Sequence, residues 1–320
     1  VDEELPCDPE KLRMGGGWTY KYLQNVSDRA YEEDYFPART MSKAARWLEK
    51  NRKQDFFLYV DTFDPHEPWD PPSHYLDLYE PNGYEGQEVI YPRYDKWKKF
   101  MSKEELQHCR NLYKGEMSLV DRWVGFLLER VKDLGLWDDT AIIFTTDHGF
   151  YLGEHGYIGK SILTKDKHEP LPLYPEVTNI PFMAKVPGSR KGRSEALVQH
   201  IDLMPTILEL AGAKRPDSAQ GKSLVPVFEG EDSLRKFAVS SPTLSGPHVN
   251  IPHPANRATI TDGEWSLIYG AQTKPEEIEK TKMVDSSERE IGEVYGPIKN
   301  ELFNLNADPH CEQDIISENQ

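Results

Sequence analysis

The chain has 320 residues, of which 38% are hydrophobic and 11% aromatic, and its formal net charge is −16. This acidic balance argues against a nucleic-acid binder, because phosphate backbones need a basic surface. No apolar run approaches the ~20 residues that span a bilayer, so we expect no membrane-spanning segment. The length suits one large domain with a smaller one, and the three cysteines are too widely spaced to form a metal-binding cluster.

The first third of the chain alternates predicted loops with one helix and one strand. Residues 1–35 are polar and irregular, and we expect loops there. A helix is predicted over 37–51, where apolar residues share one face. The short apolar run 56–60 is typical of a strand buried on both faces of a parallel sheet. The proline-rich stretch 61–93 predicts a long loop, and loops of that length in compact domains are often functional.

The middle of the chain carries the clearest strand and helix patterns. Helical spacing runs from 102 to 134, and Gly135 is a plausible stop. Strands are predicted over 141–146 and 181–186, and a helix over 202–211. This alternation predicts an α/β layered domain with flanking helices and a largely parallel sheet.

After about residue 233 the segments become shorter. Brief apolar stretches separated by turns predict a small antiparallel sheet, and the acidic stretch 274–291 reads as a solvated loop. The predicted organisation is therefore an α/β domain over 1–232 and a small α+β subdomain over 233–320.

The tripeptide Asp147-His148-Gly149 follows the predicted strand 141–146. Ligands of open α/β sheets bind beyond the carboxyl ends of the strands. A carboxylate and an imidazole there can both coordinate a divalent cation, and Gly149 allows a sharp turn or a close backbone approach. The alternative is that Asp147 caps the next segment and His148 is a structural histidine.

Two further residues carry possible chemistry. Lys160 ends a glycine-rich stretch that starts after Gly149, and beside a metal it would supply a second positive charge for a tetrahedral anion. His66 lies between two prolines after the strand 56–60, where it could bind an anionic substrate or protonate a leaving group. Taken without its sequence context, Lys160 is interpreted as a solvated surface lysine. His66 is likewise interpreted as a histidine packed among prolines and Trp69.

Together these residues resemble the sulfatase family, within the alkaline-phosphatase-like superfamily. The resemblance covers roughly residues 37–310 in the same order, and the segment from Asp147 to Lys160 is its most specific part. The matching segments are Asp147-His148-Gly149, 152–156, Lys160, His66-x-Pro68, 175–177, 180–181, 186–188, 200–208, 221–224, 301–305 and 308–309.

The resemblance implies a metal-dependent sulfuric ester hydrolase with an alkaline-phosphatase-like fold. Asp147 and His148 would bind a divalent metal, usually calcium in the family, together with two acidic residues of an early strand. Hydrated formylglycine would attack sulfur, while Lys160 and His66 would bind the sulfate oxygens and assist departure of the alcohol. Because imidazole suits zinc or manganese better than calcium, Mg²⁺, Mn²⁺ and Zn²⁺ remain alternatives.

Two residues are assigned to the substrate side. His155 lies within the motif, in a loop-structuring or substrate-binding role, and Trp69 would line the pocket or pack its loop against the domain. The expected substrate is a small-molecule or carbohydrate sulfate ester.

The sequence departs from the family at the nucleophile. The motif Cys (or Ser)-x-Pro-x-Arg is absent from it, since Cys7 is followed by Asp8-Pro9-Glu10-Lys11. The early pair of metal-binding acids also has no match. We expect both, and any signal for a periplasmic or secreted location, upstream of Val1, and we expect the isolated chain to be inactive.

Three other functions remain alternatives. A phosphonate monoester or phosphodiester hydrolase of the same superfamily could use the same residues, since sulfate and phosphate esters are both tetrahedral anions. A two-zinc phosphodiesterase would need more histidines, and Asp70 and His74 have a suggestive spacing. A non-catalytic homologue could bind anionic sugars.

Overall fold

The computed structural model describes residues 5–163, 168–241, 257–270 and 299–318. The chain forms two compact units. Unit one comprises residues 1–140, 152–159 and 163–165, and unit two comprises 141–151, 160–162 and 166–320. The predicted domain boundary after residue 232 stays a prediction, and the acidic stretch 274–291 lies outside the described residues.

Unit one contains four α-helices in its described part. They are α1 (Gly17–Val26), α2 (Phe36–Asn51), α3 (Ser73–Leu76) and α4 (Lys103–Asp133). The prediction of loops over 1–35 was wrong at α1. Gly16 precedes that helix with a φ of +81°, a left-handed conformation that glycine adopts freely. The glycine run therefore marks a helix start rather than a loop.

The two long helices of unit one, α2 and α4, lie where the sequence predicts them. Ser102 caps α4: its Oγ accepts from the Glu105 N–H at 3.2 Å, and the Glu105 carboxylate accepts from the Ser102 N–H at 2.8 Å. The helices α2 and α4 pack against each other through a shared apolar core. Its buried members are Ala38, Met41, Leu119 and Trp123.

Residues 56–60 do not form the predicted strand. Phe57 is 68% exposed and Tyr59 76% exposed, and they alternate with half-buried neighbours. A strand exists only when its backbone pairs with a neighbour, and the described residues supply none to this segment. The strands that unit one does contain are β1 (Tyr94–Lys96) and most of β4 (Tyr157–Leu163), which pair antiparallel.

Unit two contains both strands predicted around the Asp147 motif. They are β2 (Ile142–Thr145) and β6 (Phe182–Lys185), and they pair antiparallel with Thr145 opposite Phe182. The expected parallel pairing was therefore wrong for these two strands. Apolar runs indicate burial, but they carry no information on strand direction. The other short elements of unit two are β5 (His168–Pro170), α5 (Pro175–Thr178), α6 (Leu203–Leu210) and α7 (Val225–Glu229). Strand β3 (Tyr151–Leu152) has one residue in each unit.

The small antiparallel sheet predicted near the C-terminus is present. Its strands are β7 (Ala238–Ser240), β8 (Arg257–Thr261), β9 (Trp265–Gly270) and β10 (Glu301–Asn304), in the spatial order β10-β9-β8-β7. Ile268 and Phe303 are buried in it. Within the described ranges of the chain, every helix is too short or too polar to cross a bilayer.

Candidate active site

Unit two brings three of the predicted site residues into contact just beyond β2. The Lys160 Nζ lies 2.9 Å from the His148 Nε2, and the same Nε2 lies 3.2 Å from the Asp147 Oδ2. The side chains of Asp147 and His148 are 79% and 35% exposed. An ammonium, an imidazole and a carboxylate thus form one accessible cluster.

Hydrogen bonds orient the His148 ring. Its Nδ1 lies 2.9 Å from the Gly149 carbonyl oxygen, so Nδ1 acts as a donor, and Nε2 faces the Lys160 ammonium and the Asp147 carboxylate. Nε2 is therefore the nitrogen that a metal would bind. Burial opposes ionisation of Asp147, but His148, its backbone N–H and Lys160 hold the Asp147 pKa below its usual value.

Gly149 is required for a close backbone approach. A Cβ there would lie 1.8 Å from the Glu176 carbonyl oxygen, and the Gly149 N–H donates to the Val177 carbonyl at 2.9 Å. The His200 Nε2 lies 2.7 Å from the Thr146 carbonyl oxygen and secures the residue before Asp147. The imidazole of His200 was not assigned a role from sequence, although it belongs to a matching segment.

The glycine pattern predicts Lys160 at the end of a loop, whereas in the structure Lys160 lies within β4. Before it, the chain makes a turn in which His155 has a φ of +53°, an uncommon conformation for a residue other than glycine. The turn is fastened to α4, since the Arg110 Nε donates to the Leu152 carbonyl at 2.6 Å and the Glu154 carboxylate accepts from the Leu152 N–H. These contacts do not involve the His155 side chain, so its loop-structuring and substrate-side roles both stay predictions.

His66 lies in unit one, between the cis peptides Asp64–Pro65 and Glu67–Pro68. The His66 Nδ1 lies 2.8 Å from the Glu67 carbonyl oxygen, and the ring packs on Phe63 with centroids 4.4 Å apart. The Nε2 has no hydrogen-bond partner among the described residues and is the ring nitrogen left for a substrate. This arrangement suits either of the roles predicted for His66.

The family model named Sulfatase matches residues 12–213, which is more than half of the chain. The chain belongs to the sulfatase family. This confirms the resemblance drawn from Asp147, Lys160 and His66.

Individual proteins support the same assignment. An arylsulfatase of Clostridium perfringens is 26% identical over 226 residues, which are 63% of this chain and 44% of that protein. A structure of a protein in complex with its substrate D-glucosamine-2-N,6-O-disulfate superposes with a TM-score of 0.63 at 20% identity, covering 89% of this chain and 66% of the other. A phosphonate monoester hydrolase of Agrobacterium radiobacter superposes with a TM-score of 0.66 at 21% identity, covering 90% and 58%.

These likenesses confirm the alkaline-phosphatase-like α/β fold. The chain spans less than half the length of the curated arylsulfatase that it matches. Family membership therefore describes this part of such a protein, and the activity of the whole protein is a proposal.

In this sulfatase-family chain, Trp69 is a packing residue of the His66 loop. It is 1% exposed, its indole N–H donates to the Pro65 carbonyl at 3.0 Å, and its ring meets the Tyr113 ring edge-on. The buried position supports the packing alternative over a substrate-lining role.

Three acidic side chains, those of Asp64, Asp70 and Glu116, lie close together at the loop that carries His66. Asp70 accepts from the Tyr22 hydroxyl at 2.6 Å and from Arg29 at 2.8 Å, and the Asp70 N–H donates to Glu116 at 3.0 Å. Burial raises the pKa of Asp64 to about 7 despite the nearby Arg29, and Asp70 adds to the rise. Burial and the neighbouring Asp64 also raise the pKa of Glu116. With one guanidinium for three carboxyl groups, the cluster retains protons near neutral pH.

We expect Asp64→Asn to change how stability depends on pH. A folded-state pKa of about 7 against 3.8 means that the native chain binds the proton more tightly, so stability is lost as pH rises toward 7. The variant removes this loss, and its unfolding free energy should gain on the order of 3 kcal/mol relative to the parent between pH 4 and pH 8. Urea unfolding over this range measures the gain. The exposed Asp55→Asn is the control, and parallel pH curves for parent and Asp64→Asn would contradict the expectation.

The two-zinc alternative finds no support in this geometry. Asp70 is engaged by Arg29, whereas His74 is 60% exposed and lies 3.2 Å from Glu32. Across the described ranges, no three His, Cys, Asp or Glu side chains converge on a metal position. Asp147 and His148 suit two coordination positions of a divalent cation, and further ligands would have to come from outside the described residues.

Proposed function

We propose that this chain carries part of the active site of a metal-dependent sulfuric ester hydrolase. The observation that carries the proposal is the contact of the Lys160 ammonium with His148, whose Nε2 also lies 3.2 Å from the Asp147 carboxylate beyond β2. Surface lysines usually extend into water, whereas this one contacts an imidazole that itself lies beside a carboxylate. Such a cluster suits a doubly positive anion-binding position.

Each residue of the cluster has a defined task. Asp147 stays ionised because its pKa is lowered, and His148 offers Nε2 as a ligand atom because the Gly149 carbonyl holds its other ring nitrogen. These two would hold a divalent cation, which neutralises charge on the sulfate when bound. The Lys160 ammonium binds sulfate oxygens and stabilises the charge that develops on them in the transition state.

His66 is proposed to act on the departing alcohol. As the ester S–O bond breaks, the oxygen of the leaving group takes up the bonding pair and requires a proton. The His66 Nε2 can supply that proton, since Nδ1 is held by the Glu67 carbonyl. The nucleophile, by family resemblance a formylglycine, is expected outside this sequence and would supply the hydroxyl that attacks sulfur.

A carbohydrate sulfate is the proposed substrate class. A protein of similar fold binds D-glucosamine-2-N,6-O-disulfate as its substrate. Phosphonate monoester hydrolysis is the second candidate, favoured by the similar fold of the Agrobacterium enzyme. Rates of the natural gene product on 4-nitrophenyl sulfate and 4-nitrophenyl phenylphosphonate, compared at equal concentrations, separate the two.

The isolated chain is expected to be inactive and to bind metal weakly. With only Asp147 and His148 as ligands, the dissociation constants of Ca²⁺ and Mn²⁺ should be about 1 mM or weaker, because strong sites supply at least six oxygens to calcium. Calorimetric titration of the chain and of Asp147→Asn measures this binding. Turnover of 4-nitrophenyl sulfate by the chain alone would overturn the expectation.

Peptide mass spectrometry of the natural gene product tests the proposed chemistry. A Cys-x-Pro-x-Arg peptide whose cysteine has the mass of formylglycine would support the hydrolase. A natural product without such a peptide would favour the non-catalytic sugar-binding alternative.

A further inference from the structure

We propose that Glu67 is the positioning residue for His66. Its backbone carbonyl accepts from the His66 Nδ1, and its buried carboxylate, held by Arg13 and Tyr94, lies beside the same nitrogen, so that Nε2 is left for the leaving group. The inference deepens the proposed function, because it rests on the leaving-group role of His66.

Two oxygens of one residue surround the inner ring nitrogen of His66. The Glu67 carbonyl oxygen lies 2.8 Å from Nδ1, and the Glu67 Oε2 lies 3.4 Å from it. A neutral ring between two acceptors places its proton on Nδ1. When Nε2 is also protonated, the cation faces the carboxylate. The same residue therefore contacts Nδ1 in both states that acid catalysis needs.

The carboxylate of Glu67 is held in place by its burial. Glu67 is 1% exposed, so its charge requires partners. Its Oε1 lies 3.1 Å from the Arg13 Nη1 and accepts from the Tyr94 hydroxyl. Burial, and next the Glu67 charge, raise the pKa of Tyr94, so that the phenol remains a donor. With Oε1 committed to two donors, Oε2 is the oxygen that faces His66.

The position of Tyr94 is itself determined by the sheet of unit one. Tyr94 lies on β1, where it pairs with Leu163 of β4. Gly159 has a φ of +109°, and a Cβ there would come within 2.5 Å of the Tyr94 Cγ. Arg13 packs over the Tyr94 ring, with its guanidinium carbon 4.5 Å from the ring centroid. The hydrogen bonds to Glu67 therefore come from side chains with little freedom to move.

The substitution Glu67→Gln separates positioning from simple packing. Arg13 and Tyr94 both donate, so they retain the amide oxygen of glutamine and direct its NH₂ group toward His66. An NH₂ donor favours an unprotonated Nδ1. Because the backbone carbonyl of residue 67 still accepts from Nδ1, the ring proton should then be shared, with an increased share on Nε2 and almost no change in side-chain volume.

Long-range ¹H–¹⁵N spectra of the chain with ¹⁵N-labelled histidine test this directly. In the parent chain at a pH where the ring is neutral, the His66 signals should report a protonated Nδ1, and in Glu67→Gln an increased share of protonated Nε2. His66→Gln assigns the signals. Glu80→Gln is the matched control, because Glu80 pairs with His108 at 2.7 Å and should leave His66 unchanged. A protonated Nε2 in the parent, or equal spectra in parent and Glu67→Gln, would overturn the proposal.

Circular dichroism checks whether Glu67→Gln is folded. Should it unfold, Tyr94→Phe takes its place, because it removes one donor to Oε1 and leaves the carboxylate. Its expected result is a mixture of the two His66 tautomers. A parent-like spectrum for Tyr94→Phe would then count against the proposal.

Kinetics of the natural gene product form the second test. On an alkyl sulfate, whose alcohol leaves poorly, Glu67→Gln should lower kcat about 10- to 100-fold with little change in KM. On 4-nitrophenyl sulfate the loss should be small. In a His66→Ala background Glu67→Gln should cause no further loss, whereas additive losses would contradict positioning through His66. An inactive parent protein would count against the proposed hydrolase alone, because the ring spectra still decide the role of Glu67.

Discussion

Lys160→Ala is expected to lower kcat of the natural gene product for 4-nitrophenyl sulfate by about 10²- to 10³-fold, the usual cost of removing one donor to a developing anion. The Lys160 ammonium lies 2.9 Å from the His148 Nε2, and no shorter side chain at this position of β4 could place a charge there. Because the charge on sulfate oxygens grows in the transition state, the loss should fall mainly on kcat. Steady-state rates at saturating substrate measure it.

Two further variants sharpen this prediction. Lys160→Arg should keep part of the activity, since its charge remains but its planar head group has a different geometry. Lys191→Ala removes an exposed lysine of the same unit and should retain the parent rate. Activity of Lys160→Ala within three-fold of the parent would exclude an anion-binding role for this lysine.

Arg235→Met is expected to destabilise the chain by about 3–5 kcal/mol, because it leaves a buried carboxylate without its partner. Asp202 is fully buried, and both of its oxygens lie 2.5 Å from guanidinium nitrogens of Arg235. The same oxygens accept backbone N–H groups of Gln199 and Lys222 at 2.8 and 2.9 Å. One ion pair thus joins three segments of unit two, and urea unfolding at pH 7 measures its loss.

The pH dependence and a matched control test this explanation. Burial opposes ionisation of Asp202, but Arg235 and the backbone donors hold its pKa below the usual value. The contribution to stability is therefore present above the unfolded pKa and is lost as pH falls through the folded pKa, so the effect of Arg235→Met should shrink in acid. Arg193→Ala removes an arginine whose pair with Glu195 is exposed, and it should change stability by less than about 1 kcal/mol. Equal effects of Arg235→Met and Arg193→Ala at pH 7 would refute the role of burial.

The sequence determined the family and the residue types of the candidate site. Asp147, His148 and Lys160 are close in sequence and follow a recognisable apolar strand, and His66 is marked by its prolines. Helices α2 and α4 were also predictable, since their apolar faces repeat over many turns and α4 begins with a capping box. All of these signals are local, and local patterns are what a single sequence displays.

Tertiary structure decided which groups these residues meet. Arg13 lies 54 residues before Glu67 and Tyr94 lies 27 after it, so no spacing rule indicated that both bind its carboxylate. The antiparallel pairing of β2 with β6, and the lack of a strand at residues 56–60, likewise depend on which backbone lies alongside. A side chain's chemistry is encoded at its own position, but its hydrogen-bond partners come from distant parts of the chain, and only folding brings them together.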